Sequence, residues 1–249
     1  ALADGPLAPG LVEAAISLLA WDEVAARAIQ ALGGVARSET GRLVAHLLDP
    51  EEDFAIRRRL VRILADATGE EAFVGLMQAL EDQRFEVRYR AGRALARMIS
   101  QDPGLRVDRE RVIRAVLREV AVERGVWESR QLIDQADDDW SPMEAEVLRD
   151  RATRSLEHVF TLLALVLPPE TLRLAFHGLH TQDPHLRGTA LEYLATILPE
   201  PVRDKLWPFL EAERRPADHR SPEAALQELL ASRESIVLAL AAVRGRSKE

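Results

Sequence analysis

Arginine recurs along this 249-residue chain in columns. The stretch Asp183–Leu194, DPHLRGTALEYL, supplies the ruler: aligned on Leu186, its pattern returns as IRRRLVRIL from Ile56, VRYRAGRAL from Val87, LRDRATRSL from Leu148 and, more faintly, VAARAIQAL from Val24. With the aligned apolar residue as position 0, position +3 holds Arg27, Arg59, Arg90 and Arg151, and position +6 holds Arg62, Arg93 and Arg154, with Gln30 in the first copy. At +10, Arg97 and His158 extend the same flank and Asp66 interrupts it. Guanidinium forks match carboxylates and phosphates in two-bond geometry. Parallel arginine columns on successive helices therefore predict a basic ladder suited to an anion or an acidic peptide. The competing expectation is that these arginines are solvated or pair with acidic neighbours, where such pairs contribute little. A further column at +1, Arg57, Arg88, Arg149 and Arg187, falls beside the turn between helices. There the fork is expected to bond an aspartate or free carbonyls of a neighbouring repeat.

Other residue types point to less. His177, His180 and His185 crowd around Asp183, and His177 and His180 share a helical face. These are metal-ligating types, but no second cluster completes a shell, and histidine near a helix C-terminus is favoured by the dipole. No metal and no cofactor is expected. The chain has no Gly-rich phosphate loop, no G-x-S-x-G, no H-E-x-x-H and no cysteine, so the expectation is a non-enzymatic protein. Trp21, Trp127, Trp140 and Trp207 are scattered and read as packing or interface residues.

The elements that must position the columns are helices. Hydrophobic residues make up 47% of the chain and aromatics only 5%, and the abundance of Ala, Leu, Arg and Glu favours helix. Position 0 recurs at Val24, Ile56 and Val87, spaced 32 and 31 residues apart. That is a helical-hairpin period. Positions 0, +4 and +7 or +8 share one face, with a small residue at +4 in every copy except the one with Leu60. Since no hairpin buries both apolar sides alone, the pattern predicts an all-α superhelix, or solenoid, of about six hairpins in one domain over 1–249. The expected repeats are about 9–34, 38–67, 69–100, 108–167, 169–198 and 200–245. Gly33-Gly34 is expected to cap the first repeat, and Asp49-Pro50, Asp82 and Asp183-Pro184 mark turns whose aspartates accept from free helix-start amides. The fourth repeat carries an insertion at 123–147 containing Asp137, Asp138, Asp139 and Trp140. Its acidic part, Asp134–Glu146, is expected either to form a solvated loop or to fold back over the ladder.

A net charge of −8 disfavours a nucleic-acid backbone on average. Without cysteine there are no disulfides or thiolate metal sites, which fits a reducing compartment. No apolar run reaches the roughly 20 residues of a membrane span, and the start at Ala1 shows no signal-peptide pattern. A cytoplasmic segment of something longer is the expectation.

Two stretches carry a likeness to a known family. Asp82…Val87-Arg88…Ala91…Leu95 and Asp183-Pro184…Leu186-Arg187…Ala190…Leu194 resemble HEAT repeats in their turn aspartate, second-helix arginine and small/large apolar pattern. The likeness implies six HEAT-like hairpins, an armadillo-like helical fold and protein binding as a scaffold. Residues 154–209 are similar, more narrowly, to the soluble HEAT region of some bacterial nucleotide-transporter-like (ATP/ADP antiporter-like) membrane proteins. That similarity implies a non-catalytic interaction or regulatory module, linked covalently to a membrane domain outside this chain and tethered to the inner membrane. The expected partner is a protein or acidic peptide. The alternative is an anion- or nucleic-acid-binding solenoid of the HEAT-like DNA glycosylase type. Against nucleic acid stand the overall charge and the absence of aromatics interleaved with the basic columns.

Overall fold

Whether each hairpin forms depends on where its backbone amides and apolar side chains go. The computed structural model describes residues 7–67, 69–121, 154–181 and 183–210. They fall into two compact units, Ala1–Arg111 and Val112–Glu249.

In the first unit, short 3-10 turns at Pro9–Leu11 and Leu18–Ala20 flank α1 (Val12–Ser17), followed by α2 (Asp22–Val35), α3 (Thr40–Leu48), α4 (Phe54–Ala67), α5 (Glu70–Ala79) and α6 (Phe85–Gln101). Aspartates start and stop these helices as their side-chain chemistry dictates. Asp53 Oδ1 accepts from the Ala55 amide at 2.7 Å and Asp82 Oδ1 from the Arg84 amide at 2.8 Å. Past the end of α6, Asp102 Oδ1 accepts from the Gly104 amide at 3.0 Å. Ahead of α5, Gly69 takes φ 121° and ψ 158°, a conformation essentially reserved for glycine.

The helices sort into two layers. The second helices pack in sequence, α2 on α4 and α4 on α6, while α3 packs on α5, and each hairpin closes through α3 on α4 and α5 on α6. Between the layers lies a core that includes Leu32, Leu43, Leu60, Leu64, Leu76 and Leu95, all fully buried. The small residues expected at +4, Ala28 and Ala91, are also fully buried. Close approach matters in the first-helix layer too: a Cβ on Gly75 would meet Val44 Cγ2 at 2.5 Å. Polar ties join α1 to α3. The two ring nitrogens of His46 face Glu52 at 2.5 Å and Glu13 at 3.0 Å, and Arg42 reaches Glu13 at 3.5 Å.

One expected cap is absent. α2 runs through Gly33 and Gly34 to Val35, and both glycines are exposed with open space around them. Glycine costs about 1 kcal/mol per helical position but does not compel a break. The helix runs on to Val35 and is followed by the buried Ala36.

In the second unit, residues 109–121 (α7, of which 112–121 belong to this unit) and 154–163 (α8) are helical, followed by α9 (Pro169–Leu179), α10 (Pro184–Ile197) and α11 (Glu200–Leu210). Asp183 caps α10, its Oδ1 accepting from the amides of His185 and Leu186 at 2.9 and 3.4 Å. Tyr193 donates to Thr171 Oγ1 at 2.6 Å, tying α10 to α9. The inward face of α10 is Thr189, Ala190, Tyr193 and Leu194. Leu186, the ruler's own origin, is only half-buried.

Among the described residues there is no strand, and no helix is long and apolar enough to cross a membrane. The fold is all-α and helix-rich, consistent with a helical solenoid. The insertion 123–147, with Trp127 and Trp140, the second half of the last expected repeat, Arg149 and Arg151 lie outside the described residues.

Candidate binding face on the second helices

The arginine columns end up in two environments. Position +1 points into the turns. Arg57 is buried, its Nε donating to Leu47 O at 2.9 Å in the last turn of α3, and its Nη2 bonds Asp82 in the turn of the next hairpin. Arg88, also buried, donates from Nη1 to Asp82 O at 2.9 Å and Gln83 O at 2.8 Å. Arg187 repeats the scheme in the second unit: Nη1 donates to Leu179 O at 2.7 Å at the end of α9, and Nη2 to Leu210 O at 3.2 Å at the end of α11. Helix ends leave carbonyls without intrahelical donors, and a five-donor fork can reach two of them at once. Burial first, and then the nearby Arg84 charge, hold the Arg57 pKa below the usual arginine value.

Positions +3 and +6 divide. Arg59 is largely buried and reaches back to the preceding turn, bonding Leu19 O and Asp22. Arg90 is exposed but held by Glu86 at 2.7 Å. Arg97 pairs with Asp66, so the residue that interrupts the +10 column also neutralises its neighbour. Arg27 and Arg62 are exposed, with no ion pair among the described residues. Arg93 is exposed with its guanidinium 5.7 Å from the Tyr89 ring centroid and 3.3 Å from the Tyr89 hydroxyl. Arg154 is an exposed residue of α8. His158 does not extend the flank: it is fully buried, its Nε2 3.8 Å from Glu119 Oε1, which is equally enclosed. In α8 the buried face runs through Ser155, His158, Val159 and Leu162, so position +10 turns inward there.

The layers differ in charge. Helices α2, α4 and α6 carry nine arginines against four carboxylates. Helices α1, α3 and α5 carry one arginine against three carboxylates. Five of the nine, Arg57, Arg58, Arg59, Arg90 and Arg97, are in ion pairs, so the positive excess at the surface is smaller than the count and rests on Arg27, Arg62 and Arg93.

Sequence reasoning missed the aromatics. Phe54 and Phe85 occupy position −2 of successive copies, and Arg58 and Arg84 lie 5.8 and 4.9 Å from the Phe54 centroid. Arg88 lies 5.8 Å from Phe85, which stacks on Tyr89 at 5.6 Å. Aromatics thus adjoin two column residues, Phe85 beside Arg88 and Tyr89 beside Arg93. The signal lay two residues ahead of the ruler's origin. Trp21, 65% exposed, sits at the start of α2 in the turn that Arg59 holds.

The histidines do not converge. The His180 ring packs 4.5 Å from Phe176, and its Nδ1 lies 2.8 Å from Phe176 O. The His177 pKa is lowered, by burial above all, then by His180 and Arg173. Among the described residues no group of three His, Asp or Glu side chains is placed to hold a metal ion. In comparison with known proteins, the chain matches no family model and no curated protein.

Proposed function

We propose that the chain is a non-catalytic interaction scaffold, a solenoid of HEAT-like hairpins, that binds an acidic peptide segment of a protein partner on the exposed face of α2, α4 and α6. The observation that carries this reading is the charge segregation between layers, with Arg27, Arg62 and Arg93 left uncompensated on the basic side. The repeated turn bonding of Arg57 and Arg187 supports the solenoid, because each fork joins the first helix of its own hairpin to the next hairpin. The cytoplasmic location and the link to a transporter-like membrane domain belong to the same reading, and they rest on the sequence resemblance.

A rival reading as a nucleic-acid binder draws on Tyr89 beneath Arg93. Fluorescence anisotropy with a labelled Asp/Glu-rich peptide and a labelled duplex DNA separates the two. Peptide binding that is lost in Arg62→Glu/Arg93→Glu, without duplex binding at 150 mM salt, supports the scaffold. Duplex binding with a steep salt slope refutes it in favour of the rival.

A further inference from the structure

At the edge where the hairpin turns gather, the α3–α4 turn and the α5–α6 turn enclose an open cavity of about 320 Å³. Its walls are chemically divided. Leu48, Pro50 and Ala79 form an apolar side, while Gln78, Gln83 and Arg84 present amides and a guanidinium. The carboxylates that also line it are engaged: Asp82 bonds Arg57, and Glu81 lies 3.1 Å from Arg111. Nearby, Asp49 accepts from the Glu51 amide at 2.9 Å, and Glu52 faces His46.

Arg84 differs from these neighbours. It is exposed, with no carboxylate in ion-pair range among the described residues, and its guanidinium lies over the Phe54 ring at 4.9 Å. A guanidinium stacked on an aromatic face keeps its N–H edge available and holds few alternative positions. Two like charges, Arg57 and Arg84, stand close enough that the second depresses the pKa of the first. The edge therefore carries an exposed cation set over an aromatic ring, beside an apolar wall and two glutamines.

The geometry points to a carboxylate subsite in this cavity, which takes the C-terminal residue of a peptide with an aliphatic side chain. The terminal carboxylate pairs with the Arg84 fork, the last peptide group bonds the Gln78 and Gln83 amides, and the aliphatic side chain lies on Leu48, Pro50 and Ala79. The volume is at the small end of ligand sites, which suits one residue. The site is built from the turns rather than from the Arg27/Arg62/Arg93 face, so it stands without the scaffold reading.

The test is a titration of the full 15N-labelled chain, read by NMR, with N-acetyl-leucine, N-acetyl-leucinamide and the tripeptide acetyl-Ala-Ala-Leu with a free C-terminus. Binding at about millimolar concentration is expected for the two carboxylates, with the Gln78 and Gln83 side-chain amides shifting and the tripeptide at least as tight as N-acetyl-leucine. Arg84→Gln, a surface change whose fold is checked in the same spectrum, should weaken both at least tenfold. Arg42→Gln, at the other end of α3 where the side chain pairs with Glu39, should leave both unchanged. Equal binding of the leucinamide, an unaltered affinity in Arg84→Gln, exclusion of the tripeptide, or no shift at Gln78 and Gln83 would each overturn the assignment.

Discussion

Arg57 and Arg62 are five residues apart on one helix, and they do opposite things. Arg57 is enclosed and bonded to two hairpins, whereas Arg62 projects into solvent with no ion pair among the described residues. The same division separates Arg187 in the second unit from Arg93 in the first. Column position decides the outcome. An arginine one residue after the first inward apolar residue of a second helix meets the carbonyls and aspartate of the turns, and those groups need donors. An arginine one or two turns further along meets water unless a neighbouring acid happens to reach it. Lining up in a repeat therefore carries a shared role at +1, where the turn is always at hand, and not at +3, where the neighbour varies.

That contrast can be broken most sharply at Arg57. Replacing it by Ala removes the enclosed fork that bonds Asp82, whose side chain is 4% exposed, and loss of one member of a buried pair costs about 3–5 kcal/mol. Urea unfolding of Arg57→Ala should show a loss in that range, and a loss below about 1 kcal/mol would mean the pair is not enclosed in solution. Arg187→Ala should cost less, about 1–3 kcal/mol, because its partners are two neutral carbonyls rather than a carboxylate. Arg62→Glu/Arg93→Glu should change stability by no more than about 0.5 kcal/mol per site, as ordinary surface substitutions do, while acidic-peptide affinity falls at least tenfold.

The smallest effect concerns His177, a half-buried imidazole beside His180 and Arg173. Because the folded chain depresses the His177 pKa, unfolding favours proton uptake there. The stability linked to His177 is complete above the ordinary histidine value of about 6.5, and it is lost as pH falls below that and through the lowered folded value. His177→Gln should therefore lose less in Tm between pH 7 and pH 5 than the parent does. Equal losses in a thermal scan would show that His177 titrates alike in both states.

Much of this division was legible from spacing. The inward positions 0, +4 and +8 are buried in α4 and α6 as the apolar pattern demands, and the +1 role followed from nearness to the turn. Less legible were features that depend on which neighbour arrives. Arg59 and Arg90 share position +3, yet Arg59 meets the Leu19–Asp22 turn and Arg90 meets only Glu86 on its own helix. His158 reads as a surface cation by register, but α8 turns a different face inward. In α10 the inward face takes in +3, so Thr189 is buried and bonds His185 O at 3.1 Å. No basic ladder position exists there to be filled. Gly33-Gly34 misled because glycine permits a break without requiring one.

The measurement that bears most directly on this account is a paired one on six single Gln variants, at Arg57, Arg88 and Arg187 and at Arg27, Arg62 and Arg93, each assayed for urea stability and for acidic-peptide affinity. The account predicts two separate groups: the turn arginines lose stability and, where still folded, keep affinity, whereas the exposed arginines keep stability and lose affinity. A single mixed group, with the two properties changing together at every position, would contradict it.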